Sequence, residues 1–119
     1  MRDQKLPGVL KLRDPNLASE ILVGDIVLTE VLQGARDDKN AARLEADLRR
    51  FPIVAMVGAD LAVKAASHYR SMRSLGFTMS KIADLLIGTY CIEHGHELLH
   101  NDADYAAMER FCGLRVARQ

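Results

Sequence analysis

Between positions 93 and 105 the sequence reads EHGHELLHNDADY, with three histidines and four acidic residues in thirteen positions. Two chemistries suit such a cluster. Imidazoles ligate zinc, whereas carboxylates suit a hard cation such as Mg²⁺ or Mn²⁺. The spacing weighs against zinc. His94 stands just before Gly95, a helix terminator, where an imidazole complements the carbonyl end of a helix. If HELLH (96–100) is a strand, His96 and His100 share one face at a separation of about 13 Å. Two ligands of one zinc, each with a bond of about 2 Å, cannot stand that far apart.

The carboxylates remain. Asp102 follows HELLH by two residues, with Asp104 next to it, and Glu30 follows ILVGDIVL (21–28) by two residues. In open α/β sheets, sites form beyond the C-terminal ends of the strands, which is where these acids fall. Asp84, in KIADLLIG, interrupts an apolar, small-residue segment, and its helical face continues through Gly88 and Cys91. A carboxylate on such a face is costly without a partner. A divalent cation, a capping backbone or an arginine would each serve. Every one of these acids also has a structural role open to it. Glu30 could be a first-turn glutamate matched to the helix dipole, and Asp102 or Asp104 an Asx cap for a helix starting near Ala103. Converging on one strand-end pocket, they would hold Mg²⁺ or Mn²⁺ and activate hydroxide against a phosphodiester.

The elements that must position these acids follow from periodicity. ILVGDIVL is short and rich in β-branched residues and predicts a buried strand, followed by a helix from Thr29 as cap. DDKNAARLEADLRRF (37–51) predicts an amphipathic helix with Ala41, Leu44 and Leu48 on one face. PIVAMV (52–57) predicts a second strand and 58–76 a helix stopped by Gly76. A helix over 79–95 is capped by Ser80 and ended by Gly95. HELLH is then a strand, 102–113 a short helix and LRV (114–116) a last strand. At the N-terminus, LPGVLKL could start a short helix after Pro7, and RDPN (13–16) reads as a turn. Strand and helix in alternation predict one α/β domain over 1–119, with a mostly parallel sheet flanked by helices.

Composition sets limits. One hundred and nineteen residues, 49% of them apolar, suffice for one core, and 16 basic against 16 acidic side chains give no general positive field for nucleic acid. No membrane span or signal-peptide core is legible, so a cytoplasmic protein is expected. Cys91 and Cys112 form no CxxC pair and read as buried thiols without a special task.

Together, GDIVLTEVLQGAR, DLLIGTYCIEHGHELLHNDADY and the trailing GLRV resemble the motifs of PIN-domain proteins, in particular the VapC ribonuclease toxins of toxin–antitoxin pairs. The resemblance covers the chain from about residue 5 onward. It implies a Mg²⁺- or Mn²⁺-dependent endoribonuclease, usually homodimeric and held inactive by a VapB-type antitoxin. By position, Glu30, Asp84 and Asp102 match the family's acidic residues, with Asp104 placed to assist the last. Arg70 and Arg73, with Lys64, form a stripe along one side of the 58–76 helix that could meet RNA phosphates or else be solvated helix surface; Arg36 is a weak RNA candidate that could instead balance the acidic pocket or suit the C-terminus of its helix. Tyr90 and Tyr105 read as edges of the core.

The resemblance departs at the start. The family opens with an apolar strand ending in Asp-Thr or Asp-Ser, and no such strand stands before Glu30; Asp3 and Asp14 lie in other surroundings. The expectation is a PIN-like domain truncated at its N-terminus. It would lack a central strand and one metal carboxylate, with weak nuclease activity and a sheet needing cover from a partner or a second copy. A PIN fold that pairs with an antitoxin or with itself but does not cut is the alternative reading.

Overall fold

The computed structural model describes residues 10–11, 21–99 and 105–116. Five helices, α1 (Asp25–Gln33), α2 (Asp38–Leu48), α3 (Ala59–Ser74), α4 (Ile82–His94) and α5 (Ala106–Phe111), flank a five-stranded sheet. Its strands are β1 (Leu10–Lys11), β2 (Ile21–Gly24), β3 (Ile53–Val54), β4 (Glu97–Leu98) and β5 (Arg115–Val116), in the order β3-β2-β1-β4-β5. The α/β expectation is borne out, and β2–β3 and β4–β5 are parallel pairs.

The middle of the sheet differs from expectation. Leu10–Lys11, read from sequence as a helix start, is a strand, and it runs antiparallel to both β2 and β4. A short segment of the chain's own N-terminal region thus supplies ladder partners to strands that would otherwise expose unpaired backbone groups. RDPN lies outside the described residues.

The β-branched run ILVGDIVL is also divided. Only Ile21–Gly24 is extended, and the chain turns helical at Asp25. Gly24 accounts for the change: a Cβ there would overlap the thioether of buried Met56. With no side chain in the way, the residues after β3 close over the strand end, and Asp25 Oδ1 accepts the Met56 N–H at 3.2 Å. The apolar residues that follow then recur at helical spacing, with Val27 fully buried and Val31 packed at the core's edge. Thr29 is therefore no cap. It lies inside α1 and donates its hydroxyl to the Asp25 carbonyl at 3.1 Å. The predicted strand 52–57 likewise shortens to two residues.

Helix α4 is the central element for function. Ile87 and Cys91 are fully buried and Leu85 and Tyr90 nearly so, and α4 packs most extensively against α3. Its N-cap is Lys81 rather than Ser80, without a side-chain capping bond, and its end is Gly95 in the left-handed region (φ 69°), as the sequence predicts. Burial of Cys91 pushes its thiol up to about 12, and burial raises the half-buried Cys112 as well, so both behave as the packing thiols expected.

Candidate active site

Two of the four carboxylates expected from sequence fall within the described residues, and α1 and α4 bring them together. Glu30 lies more than a turn into α1, so its dipole-matching role at a helix start is ruled out. Asp84 is in the first turn of α4 and buried, at 7% exposure. Burial raises the Glu30 carboxyl above its ordinary value. The charge of Asp84 raises it further, and Lys81 works in the opposite direction. The Asp84 charge is close enough to disfavour ionisation of Glu30. Asp102 and Asp104 lie outside the described residues, and among the described residues no group of three or more metal-ligating side chains forms.

Sequence reasoning assigned Asp84 a cation, a backbone cap or an arginine as partner. One partner among the described residues is Tyr105, whose hydroxyl donates to Asp84 Oδ1 at 3.1 Å. Tyr105 is 2% exposed. Its own pKa is driven well up, first by burial and then by the Asp84 charge, so the phenol remains a donor at any ordinary pH. The signal available in the sequence was adjacency: Tyr105 directly follows the acidic pair in NDADY. Lys81 was also missed, because a lysine before an apolar helix reads as ordinary surface.

The basic candidates separate. Arg70 and Lys81 border a groove of about 300 Å³ whose floor includes Tyr69, Met79 and Leu85, next to Asp84 in the chain. Arg73 is exposed and lies over the Tyr69 ring, 5.7 Å from its centroid. Arg36 is exposed at the turn into α2, where its backbone N–H donates to Asn40 Oδ1 at 3.1 Å. Lys64 borders a different cavity, of about 450 Å³, with Asp60, Tyr90 and Glu93. The stripe read from sequence is thus split between two surfaces.

The histidine cluster takes a form unlike a metal site. His94 is the last residue of α4, and its Nδ1 donates to the Tyr90 carbonyl at 2.9 Å. Its ring stacks on Tyr90 at 4.0 Å and on His96 at 5.7 Å. His100 lies outside the described residues.

The described carboxylates and phenol at the acidic corner offer oxygen donors. Such donors fit Mg²⁺ or Mn²⁺, and a cation would relieve the repulsion felt by Glu30.

The chain is similar in sequence and fold to known proteins. Residues 8–111 match the PIN domain family. VapC ribonuclease Mb1587 of Mycobacterium bovis and ribonuclease VapC11 of Mycobacterium tuberculosis are each 33% identical over 100 residues, covering 84% of this chain and 75% of theirs. In fold the chain is similar to VapBC2 of Rickettsia felis bound to a promoter DNA fragment, with TM-score 0.68, 22% identity, and coverage of 82% of this chain and 74% of that one. DNA-bound VapBC of Salmonella typhimurium gives a TM-score of 0.66 and 20% identity, over 81% and 73% of the two chains.

Proposed function

The chain belongs to the PIN-domain family, and from that premise we propose that it is a VapC-type endoribonuclease, the toxin of a toxin–antitoxin pair. It cuts RNA with Mg²⁺ or Mn²⁺ held by Glu30 and Asp84, and Asp102 and Asp104 complete the site. The observation that carries this reading is that two helices far apart in sequence place Glu30 near the buried Asp84, whose charge adds to the burial that raises the Glu30 carboxyl. Two acids brought together in a partly buried place suit a cation site.

When bound, the ion supplies a hydroxide-forming water and neutralises charge on the phosphodiester. The chain's own groups orient and exclude. Asp84, buried and held by Tyr105, is the fixed ligand, and half-buried Glu30 is the adaptable one. Arg70 and Lys81 flank the site on the groove side, where backbone phosphates would lie; Arg36 and Arg73 are weaker candidates. A VapB-type antitoxin is the partner, the homodimer the assembly, and the cytoplasm the compartment. Among the described residues no helix is long and apolar enough to cross a membrane.

One observation favours the second reading, a PIN fold that pairs without cutting. The middle strand runs antiparallel, so its C-terminal end lies on the opposite side of the sheet from the end of β2 that leads into the Glu30 helix. The two described residues of that strand, Leu10 and Lys11, carry no carboxylate. The deciding experiment is cleavage of a structured RNA by the purified chain with Mn²⁺, with EDTA, and as Asp84→Asn. Cleavage that needs the metal and is lost in the variant supports the nuclease. Cleavage indifferent to both overturns it, and no cleavage from a folded chain that still binds antitoxin leaves the pairing reading.

A further inference from the structure

A carboxylate that binds a cation must be held in the right orientation before the ion arrives, or ordering it is charged against affinity. At the acidic corner the means of holding it can be traced through three residues. Gly88 lies one turn beyond Asp84 on the same face of α4. A Cβ at that position would stand 2.5 Å from Met108 Sδ and 3.6 Å from Tyr105 Cε1. The bare α-carbon therefore leaves room for the fully buried Met108 side chain to lie against α4. That close approach lays the Tyr105 ring across the Asp84–Gly88 turn, and the hydroxyl at its far end reaches back to Asp84 Oδ1 at 3.1 Å.

We propose that Tyr105 is the positioning residue of the acidic site: its hydroxyl fixes the orientation of the Asp84 carboxylate for a divalent cation. The inference rests on the metal-dependent reading above and deepens it. A ring in this place would fill the gap between α4 and α5 whether or not it carried oxygen. The hydroxyl is what packing does not explain, since a buried phenol must find an acceptor, and here the acceptor is the site's own buried acid. A hydrogen bond to an ionised carboxylate is among the stronger ones proteins make, and carboxylates that ligate metals are commonly held this way.

The test is Tyr105→Phe, which keeps the ring and removes only the hydroxyl. Mn²⁺ binding to the purified full-length chain is measured by calorimetry or by the loss of the free-ion EPR signal, alongside Asp84→Asn. The expected result is a Kd for Mn²⁺ raised about tenfold in Tyr105→Phe, with far-UV circular dichroism unchanged. Where RNA cleavage is measurable, the Mn²⁺ concentration giving half the maximal rate rises by the same factor. The rate at saturating Mn²⁺ stays within about threefold, because the ligand itself is intact. A purely structural tyrosine would lower Tm without moving the metal dependence. If Asp84→Asn loses Mn²⁺ binding while Tyr105→Phe binds within twofold of the parent chain, the positioning role is overturned and the metal site stands. If Asp84→Asn itself binds Mn²⁺ normally, the metal reading falls and the proposal with it.

Discussion

The two ends of helix α4 carry most of the residues in this chain that could do chemistry, and they use them in opposite ways. At the first turn, Asp84 is buried near Glu30, and burial and then the Asp84 charge raise the Glu30 carboxyl. At the last turn, His94 stacks on Tyr90 and against His96, His96 lies tilted to Tyr90, and the inward nitrogen of His94 is bonded to a carbonyl of its own helix. At one end a cation would relieve the opposition that Asp84 offers to the Glu30 charge; at the other, His94 is already bonded and stacked. Density of ionisable residues therefore says little about function. What separates the ends is whether neighbouring groups oppose or complete one another.

The largest effect should come from removing that opposition at its source. Asp84→Asn is expected to lower Mn²⁺-dependent RNA cleavage by about a hundredfold or more. The fold should persist, because the amide oxygen can still accept from Tyr105. A variant that folds and cuts as before would erase the distinction between the two ends.

Next in size is a test of the packing that builds the acidic end. Gly88→Val places a branched side chain where Met108 now sits, and should cost about 1–3 kcal/mol in urea denaturation. If stability is unchanged, α5 does not need the close approach described above.

Smaller still is the electrostatic signature. The folded-state pKa of Glu30 is raised above its ordinary 4.5, so the folded chain holds that proton more tightly than the unfolded chain. Stability contributed by this group is therefore lost as pH rises from 4.5 through the raised value, and the deficit persists at neutrality. In metal-free buffer Glu30→Gln should raise Tm at pH 7 by roughly 1–3 °C, modest because the side chain is only partly buried. Below pH 4.5 the variant and the parent chain should melt together. Addition of Mn²⁺ should reverse the order at pH 7. A parent chain more stable than the variant without metal would mean that Glu30 has a satisfied structural role.

How much of this was legible without coordinates differs between the same two ends. Gly95 as terminator of α4 could be read directly, since it closes a periodic run and needs a left-handed backbone that glycine adopts freely. The exclusion of zinc rested on treating 96–100 as a long strand. The observed strand is only Glu97–Leu98, and the better reason is ring stacking, which no spacing rule reports. At the acidic end, Asp84 stood out as an acid on an apolar face, but its partner did not. Tyr105 is 21 residues away, and its approach depends on a missing side chain at Gly88. The boundary at Gly24 failed for a related reason: β-branched composition cannot distinguish a buried strand from a strand turning into a buried helix. The middle strand Leu10–Lys11 was hidden because two residues carry no period, and their extended form comes from neighbours on both sides.

The smallest expected effect is the sharpest test of the histidine end, because it is an effect that should fail to appear. His94→Ala removes one stacked ring and one short hydrogen bond at the surface end of a helix, and His96→Ala removes the outer ring of the stack. Neither change alters Glu30, Asp84, Tyr105 or Lys81, which lie at the other end of the thirteen-residue helix or pack there. A helix of that length holds the two ends about 20 Å apart, well beyond the screening length of about 8 Å at physiological salt. Each variant should then melt slightly lower while its Mn²⁺-dependent cleavage and Mn²⁺ affinity stay within about twofold of the parent chain. Zn²⁺ titrated into the parent chain should bind without a stoichiometric plateau. A plateau at one ion per chain, lost in His94→Ala, would show that the satisfied end of α4 had been the wrong one to set aside.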